Sequence, residues 1–240
     1  MRYIRPFDRS AVGPDGTWLI KPEEDLGCAI RLRRGPGAFA DKADSELFAL
    51  ILSGDATLST GDAGNEAAAG DMVFVPSGER ASLSGTDDLY WLEIVAPLTE
   101  GRQSAGQSRV LPLDQSKFEG DGFAYYGIID RTGGSASMRI NVLQVAPGSG
   151  SPDYHIHNFA QIYVIQEGEM TVDIGHHRQV AGPDTLVILP TGVVHRNFNG
   201  SGAVERHVSL LVPEPAVNDI FDYAVTIHPE EAELLTAIPD

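Results

Sequence analysis

Several features that mark other protein classes are scarce in this sequence of 240 residues. Cysteine occurs once, at Cys28, so an intramolecular disulfide is excluded. We expect this thiol to be buried in a strand rather than reactive, because free cysteine is usually buried. No apolar run approaches the roughly 18 residues of a membrane-spanning helix. Residues 1–10 lack the apolar core of a secretory signal, so a cytoplasmic protein is expected.

Basic residues are also scarce. The 17 Lys and Arg residues face 34 Asp and Glu residues, which gives a formal net charge of −17. Such a field repels phosphate backbones and anionic lipids, so we expect neither nucleic acid nor a membrane as a partner. The hydrophobic fraction of 42% and the charged fraction of 21% are ordinary for a globular protein.

The chain contains an internal repeat. Residues 41–85 align with residues 155–199 at a constant offset of 114 and without a gap. The turn residues that coincide are Gly54 with Gly168, Thr57 with Thr171, Gly61 with Gly175, Pro76 with Pro190 and Gly78 with Gly192. Apolar segments coincide as well, among them 72–75 and 186–189. We interpret the two halves as duplicates.

Each copy has the sequence pattern of an all-β protein. Short runs rich in Val, Ile, Leu, Tyr and Phe alternate with clusters of Gly, Pro, Asp and Asn, which is typical of strands and turns. Such units predict closed barrels of the jelly-roll type. The predicted domains are an N-terminal barrel at 1–98, a linker at 99–120 and a C-terminal barrel at 121–240. A short C-terminal helix is predicted from Pro229, because proline and glutamates favour a helix start.

Four polar residues of the second copy are candidate metal ligands. His155 and His157 are two residues apart, so on a strand they point to the same face. Gln161 lies on the next strand, and a tight turn at 190–192 returns His195 to the same point. Three imidazoles and an amide oxygen suit a divalent first-row metal and leave open coordination positions, as catalytic sites require. It stays open whether Gln161 is a ligand or lines the pocket beside three histidines.

This spacing resembles the two motifs of the cupin superfamily. The first is His-x-His, three residues, Glu or Gln, six residues and Gly, and residues 155–168 match it. The second is Gly, five residues, Pro-x-Gly, two residues, His, three residues and Asn, and residues 184–199 match it except at Asp184. Aspartate is tolerable there because it can adopt a left-handed turn. Gly148 also lies one residue too far upstream, and Gln161 takes a position more often held by Glu. The resemblance implies two tandem cupin barrels, that is, a bicupin.

The first copy has lost this ligand set. In the same register the replacements are Asp41 for His155, Ala43 for His157, Leu47 for Gln161 and Ala81 for His195. One carboxylate with methyl and isobutyl groups cannot hold a transition metal. We therefore predict one metal per chain, with Fe, Mn, Ni, Zn and Co all open. The N-terminal barrel is expected to act as a packing partner, a pocket wall or a surface for a homodimer.

The resemblance leaves the chemistry open, because bicupins include dioxygenases, decarboxylases, isomerases and non-catalytic proteins. A neutral Gln161 in place of Glu leaves the full +2 charge on the ion, which favours Lewis-acid chemistry. We expect a metal-dependent isomerase, tautomerase or lyase that acts on a small oxygen-rich metabolite. An Fe(II)-dependent dioxygenase and a non-catalytic ligand-binding protein are the alternatives.

Two residues are candidates for moving a proton. Tyr163 shares a strand face with Gln161, so it either lines the pocket or fills the barrel as an ordinary aromatic residue. His207 lies on a closing strand whose register is open, and it faces either the pocket or the outside. The facing of Arg139 is equally open. An inward Arg139 would indicate a carboxylate in the substrate, through bidentate pairing.

Overall fold

The computed structural model describes residues 2–39, 42–61 and 63–227. Within them the chain is almost entirely β-structure, which confirms the predicted all-β class. The helical elements there are three single 3-10 turns, Arg9–Ala11, Pro22–Glu24 and Gln115–Lys117. The helix predicted from Pro229 lies outside the described residues. No helix of the described part is long and apolar enough to cross a membrane.

The strands are numbered in chain order. Those of the first half are β1 (Ile4–Pro6), β2 (Thr17–Ile20), β3 (Ala29–Arg34), β4 (Gly37–Ala38), β5 (Ser45–Ser53), β6 (Ala56–Thr60), β7 (Ala63–Ala67), β8 (Met72–Val75), β9 (Ser82–Gly85), β10 (Tyr90–Pro97) and β11 (Arg109–Leu111). Those of the second half are β12 (Phe123–Ile129), β13 (Arg139–Val145), β14 (Gly150–Ile156), β15 (Ala160–Glu167), β16 (Met170–Ile174), β17 (His177–Ala181), β18 (Thr185–Leu189), β19 (His195–Phe198), β20 (Glu205–Val212) and β21 (Tyr223–Ala224).

Each half forms a barrel from a large and a small antiparallel sheet. The first large sheet has the order β11-β8-β5-β10-β3-β2, and the first small sheet has the order β4-β9-β6-β7. The second large sheet has the order β1-β18-β15-β20-β13-β12, and the second small sheet has the order β17-β16-β19-β14-β21. Apart from the consecutive pairs β2–β3 and β12–β13, the strands that pair in both large sheets are not consecutive in the chain, as expected for jelly-roll connections.

One edge strand of each large sheet comes from outside the segment predicted to form that barrel. β1 belongs to the first half but pairs with β18, with Ile4 opposite Val187. β11 pairs with β8, with Val110 opposite Val73, the repeat partner of Val187. The segment 99–120, predicted as a linker, therefore contains a strand of the first large sheet. The domain boundaries themselves stay a prediction.

Residue parity on the large sheets separates two environments. Even-numbered side chains of β5 and β15, such as Phe48 and Ile162, lie in one apolar core between the two large sheets. Odd-numbered side chains of the same strands, such as Leu47 and Tyr163, face the barrel interiors. This follows from the two-residue period of a strand, which gives each large sheet two buried faces. The shared core therefore joins the halves into one packed unit.

A buried carboxylate adds a polar link between the halves. Glu46 of β5 is fully buried, and its oxygens accept hydrogen bonds from Ser104 Oγ at 2.7 Å, the Ala136 N–H at 2.8 Å and Ser135 Oγ at 2.9 Å. The N–H and hydroxyl of Ser137 donate to it as well. A buried charge needs such donors, so the loop before β13 is fixed against β5.

The turns of the repeat keep their conformations. Gly54 and Gly168 have φ angles of 78° and 66°, and an added Cβ would collide with the backbone of Leu89 or Val204. Asp184 has a φ of 58°, which confirms the left-handed turn expected for it. Its carboxylate pairs with Arg9 at 2.6 Å, so the departure from glycine also connects the two halves.

The shared core predicts that damage in one half weakens the other. Leu210 is fully buried in this core, so Leu210→Ala should lower the free energy of unfolding by about 2–5 kcal/mol. Both tryptophans, Trp18 and Trp91, lie in the first half. Their fluorescence in a urea titration should therefore report the loss. Val180→Ala, at a side chain that is 58% exposed, is the control. An unchanged tryptophan transition in Leu210→Ala would contradict the coupling.

Cys28 is predicted to be unreactive in the folded protein. It lies in the shared core just before β3, and burial raises the pKa of its thiol to about 12. The thiolate is the reactive form, so an aromatic disulfide reagent at pH 8 should label Cys28 only after denaturation. Val180→Cys supplies an exposed thiol as the positive control. Rapid labelling of native wild-type protein would show that the core opens.

Candidate metal centre

Three histidines of the second barrel converge on one point. His155 of β14 lies directly opposite His195 of β19, and His157 is the first residue after the end of β14. One ring nitrogen of each lies within 4.8 Å of the others. All three side chains are buried, with at most 5% of their surface exposed. Among the described residues they are the one group of three His, Cys, Asp or Glu placed to hold a metal ion.

Backbone carbonyls fix the tautomer of each imidazole. The Nδ1 atoms lie 2.8 Å from the Asp153 carbonyl for His155, 2.8 Å from the Phe221 carbonyl for His157, and 2.9 Å from the Val193 carbonyl for His195. A carbonyl only accepts, so each Nδ1 carries the proton and each Nε2 keeps its lone pair. Nε2 of His157 and of His195 is buried without a hydrogen-bond partner among the described residues. This is the arrangement of a ligating histidine with an outer carbonyl partner.

Gln161 is oriented in the same way. Its side-chain Nε2 donates to Ser209 Oγ at 3.2 Å, and its Oε1 is buried with no hydrogen-bond partner in the described part of the chain. A buried acceptor without a partner is costly, unless a cation occupies the space in front of it. The donor set therefore fits a divalent transition metal held by three imidazole nitrogens, with the Gln161 oxygen available as a fourth ligand.

Burial favours the neutral form of two of these imidazoles. It lowers the pKa of His195 to about 3 and also lowers the pKa of His157, although the Phe221 carbonyl acts in the opposite direction on His157. Since a protonated imidazole cannot ligate, no proton has to leave His195 before a metal binds at neutral pH.

A cavity of about 410 Å³ opens beside the histidines. Its floor is made of odd-numbered residues from three neighbouring strands, in rows set by the strand register. The rows are Arg139, Leu211 and Gln161; then Asn141, Ser209 and Tyr163; then Leu143 and His207. Polar side chains thus dominate the floor near the candidate ligands. The volume suits a small metabolite.

Tyr163 and His207 both face this cavity. The Tyr163 hydroxyl donates to Asn197 Oδ1 at 3.3 Å, and burial raises the pKa of this hydroxyl well above its usual value. His207 is fully buried, and its ring lies edge-on to Tyr163 with the centroids 4.7 Å apart. Nδ1 of His207 lies 2.7 Å from Glu205 Oε1, and its Nε2 has no hydrogen-bond partner within residues 2–39, 42–61 and 63–227. His207, whose facing the sequence left open, therefore points inward, and Tyr163 points inward as its shared strand face with Gln161 predicts.

Two contributors escaped the sequence reasoning. One is Glu205. Its position two residues before His207 was the one sequence feature that could have indicated its role. The other is the C-terminal strap, defined as residues 213–227, which follows the last barrel strand. Its strand β21 pairs with β14, the Phe221 carbonyl holds His157, and Asp222 lines the cavity. The aromatic residues Phe221 and Tyr223, within an otherwise polar stretch, were the sequence feature that could have indicated this contact with the barrel.

The first barrel is filled where the second is hollow. Trp91 lies opposite Ile51, just as His207 lies opposite Ile165, and the offset of 114 relates Ile51 to Ile165. Leu47 and Ala81, the counterparts of Gln161 and His195, are buried in the apolar core that also contains Phe39 and Trp91. Ala43 is exposed, and Asp41 lies outside the described residues.

Fold and site together define a double-barrel all-β protein with a histidine-rich centre in one barrel. Residues 141–208 match the family model of the cupin domain, so the second half of the chain contains a cupin domain. No curated protein sequence matches the chain.

Solved structures with similar folds span most of the chain. An IolB-like protein from Salmonella typhimurium has a TM-score of 0.71 and 12% identity, covering 94% of this chain and 97% of its own. A deletion mutant of Bacillus subtilis oxalate decarboxylase has a TM-score of 0.64 and 13% identity, with coverages of 93% and 79%. A point mutant of salicylate 1,2-dioxygenase from Pseudoaminobacter salicylatoxidans has a TM-score of 0.63 and 9% identity, with coverages of 78% and 71%. At these identities the likeness concerns the fold alone.

Metal content tests the centre directly. Elemental analysis of the purified protein should find about one divalent metal per chain, and His195→Ala should lose it because one of three imidazoles is removed. Gln161→Leu, which copies Leu47 of the first barrel, should weaken metal binding by about tenfold or more. His177→Ala, at an exposed histidine of the same barrel, should retain the metal. About two metals per chain, or full metal content in His195→Ala, would refute the assignment.

Proposed function

We propose that the second barrel is the active site of a metal-dependent enzyme that carries out isomerisation, tautomerisation or lyase chemistry on a small oxygen-rich metabolite. The observation that carries this proposal is the neutral ligand set, in which buried imidazole nitrogens and the Gln161 oxygen face one point without partners among the described residues. A divalent Fe, Mn, Ni, Zn or Co ion held there would keep its +2 charge and polarise a carbonyl or hydroxyl oxygen.

His207 is the proposed proton acceptor. Glu205 holds its Nδ1, so Nε2 is the atom that faces the cavity. The Glu205 carboxylate also stabilises the imidazolium that forms when Nε2 takes a proton from the substrate. Such support matters in this place because the side chains of His207 and Glu205 are both buried, and an unpaired charge there would be costly.

Tyr163 is the proposed hydrogen-bond donor to the substrate. Its raised pKa keeps the hydroxyl protonated at neutral pH. Its single O–H, which donates to Asn197 Oδ1 at 3.3 Å in this structure, would turn from Asn197 to the substrate when one binds. The Phe159 ring stacks on His157, with centroids 4.6 Å apart, and Phe221 packs edge-on against Phe159. These aromatic rings limit the access of water to the ligand side of the cavity.

An Fe(II)-dependent dioxygenase is the second candidate. It is favoured by the same neutral histidines, which can also support O₂ chemistry on Fe(II). A non-catalytic protein that binds a small ligand beside the metal is the third candidate, since a cavity and a metal do not by themselves require turnover.

Exchange of substrate hydrogen with solvent separates these candidates. Metal-loaded protein in D₂O should incorporate deuterium next to the carbonyl of its substrate, detected by NMR across a panel of small hydroxy and keto compounds. An oxygen electrode should record no O₂ uptake during turnover. His207→Gln should reduce the rate by about 10²–10⁴-fold, because the proton acceptor is lost, while metal content is retained.

Two further variants test whether the loss of rate is specific to His207 and what the Glu205 carboxylate contributes. His177→Gln should match the wild type, and Glu205→Gln should reduce the rate less than His207→Gln, because the amide can still orient the ring. Stoichiometric O₂ consumption would instead support the dioxygenase. Binding of panel compounds without turnover or exchange would support the non-catalytic alternative.

A further inference from the structure

Arg139 differs from most arginines of the described residues. Nine others form ion pairs with carboxylates, namely Arg5, Arg9, Arg31, Arg33, Arg102, Arg131, Arg178, Arg196 and Arg206. Arg139 lines the cavity and has no ion pair within the described part of the chain, although the protein has twice as many acidic as basic residues. A half-buried guanidinium that forms no direct ion pair with a carboxylate is suited to bind one from solution.

Neighbouring side chains hold this guanidinium in place. Its Nε donates to Asn141 Oδ1 at 3.1 Å, and its central carbon lies 5.9 Å from the centroid of the Phe221 ring in the C-terminal strap. The terminal Nη1 and Nη2 groups make no hydrogen bond with the described residues. Asp130, on the loop after β12, is near enough for a coulombic interaction with Arg139 but forms no ion pair with it, and its Oδ1 accepts hydrogen bonds from Thr132 and Gly133. The Nη1 and Nη2 groups, which recognise a carboxylate, are therefore available to a ligand.

Strand register sets the distance from Arg139 to the metal centre. Arg139 lies opposite Leu211, and Leu211 lies opposite Gln161, so the arginine and the candidate ligand are two strands apart in one row. With about 4.8 Å between neighbouring strands, their Cα atoms are about 10 Å apart. Both side chains extend into the cavity and shorten the gap. A short acid of about three to six carbon atoms spans what remains.

We propose that Arg139 is the carboxylate-binding residue of the substrate site, and that the substrate is a short carboxylic acid with a second oxygen group directed at the metal centre. This inference deepens the proposed function by naming its substrate class. The guanidinium fork binds the carboxylate in bidentate fashion under Phe221. The two contacts fix the carbon between them in front of the second floor row, where Tyr163 and Ser209 lie.

Binding of simple acids tests the proposal without knowledge of the substrate. The full-length protein is loaded with Zn²⁺, which is redox-inert, and titrated with malonate, succinate and the uncharged analogue succinamide in a calorimeter. At least one of the two acids should bind measurably, and succinamide should bind more weakly. Arg139→Gln should weaken acid binding by about tenfold or more, and Arg139→Lys should restore it in part, because lysine keeps the charge but not the fork.

Control variants separate this outcome from lost folding and from lost metal. Arg178→Gln removes one exposed positive charge from the same barrel and should change affinity by less than about twofold. Zn²⁺ content and thermal midpoint of Arg139→Gln should equal those of the wild type. Unchanged acid binding in Arg139→Gln, equal binding of succinate and succinamide, or no acid binding by the loaded wild type would each overturn the proposal.

The same experiment distinguishes failure of the metal centre. If the wild type takes up no divalent metal, the proposed function fails. The Arg139 comparison is then made on the metal-free protein, where the arginine-dependent loss of acid binding should persist. Absence of that loss would overturn the carboxylate site independently of the metal.

Discussion

The packing of the two large sheets against each other determines where function can lie in this protein. Every strand of that interface has one face committed to the shared apolar core, as Val208 and Leu210 of β20 illustrate. The residues that alternate with them along β20 must then face the barrel interior, and these are His207, Ser209 and Leu211. Polar side chains gather on that inner face, because a polar side chain on the other face needs hydrogen-bond partners between the sheets, as Glu46 has.

The same scaffold has two different interiors. In the first barrel, bulky apolar side chains such as Phe39 and Trp91 occupy the space, and Arg33 packs its guanidinium over the Trp91 ring. In the second barrel the corresponding space is lined by His207 and other polar groups, and it stays open as a cavity. A filled barrel interior stabilises the folded protein through apolar burial. A barrel with an open cavity lacks that stabilisation, but its polar atoms can contact a ligand. The first barrel thereby supports the sheet on which the second builds its site.

Local spacing was enough to predict part of this arrangement. The convergence of His155, His157 and His195 follows from strand alternation and one turn, and the left-handed Asp184 follows from its place in that turn pattern. The inward facing of His207 and Arg139 could not be read in the same way, because it depends on register with strands far away in the chain. The placement of β1 and β11 at the sheet edges escaped prediction for a related reason: three-residue edge pairings carry little sequence signal.

The strap contact at His157 has a consequence for how such proteins are compared. The carbonyl that holds this imidazole belongs to Phe221, which lies beyond residues 141–208 that define the cupin domain. A hydrogen bond to the outer nitrogen raises the basicity of the inner one, so the electron-donating strength of the ligand set is adjusted from outside the domain. Two cupins with identical ligand motifs and unrelated C-terminal segments would then differ in how strongly their histidines donate to a bound metal. A shared ligand motif therefore does not imply the same reactivity.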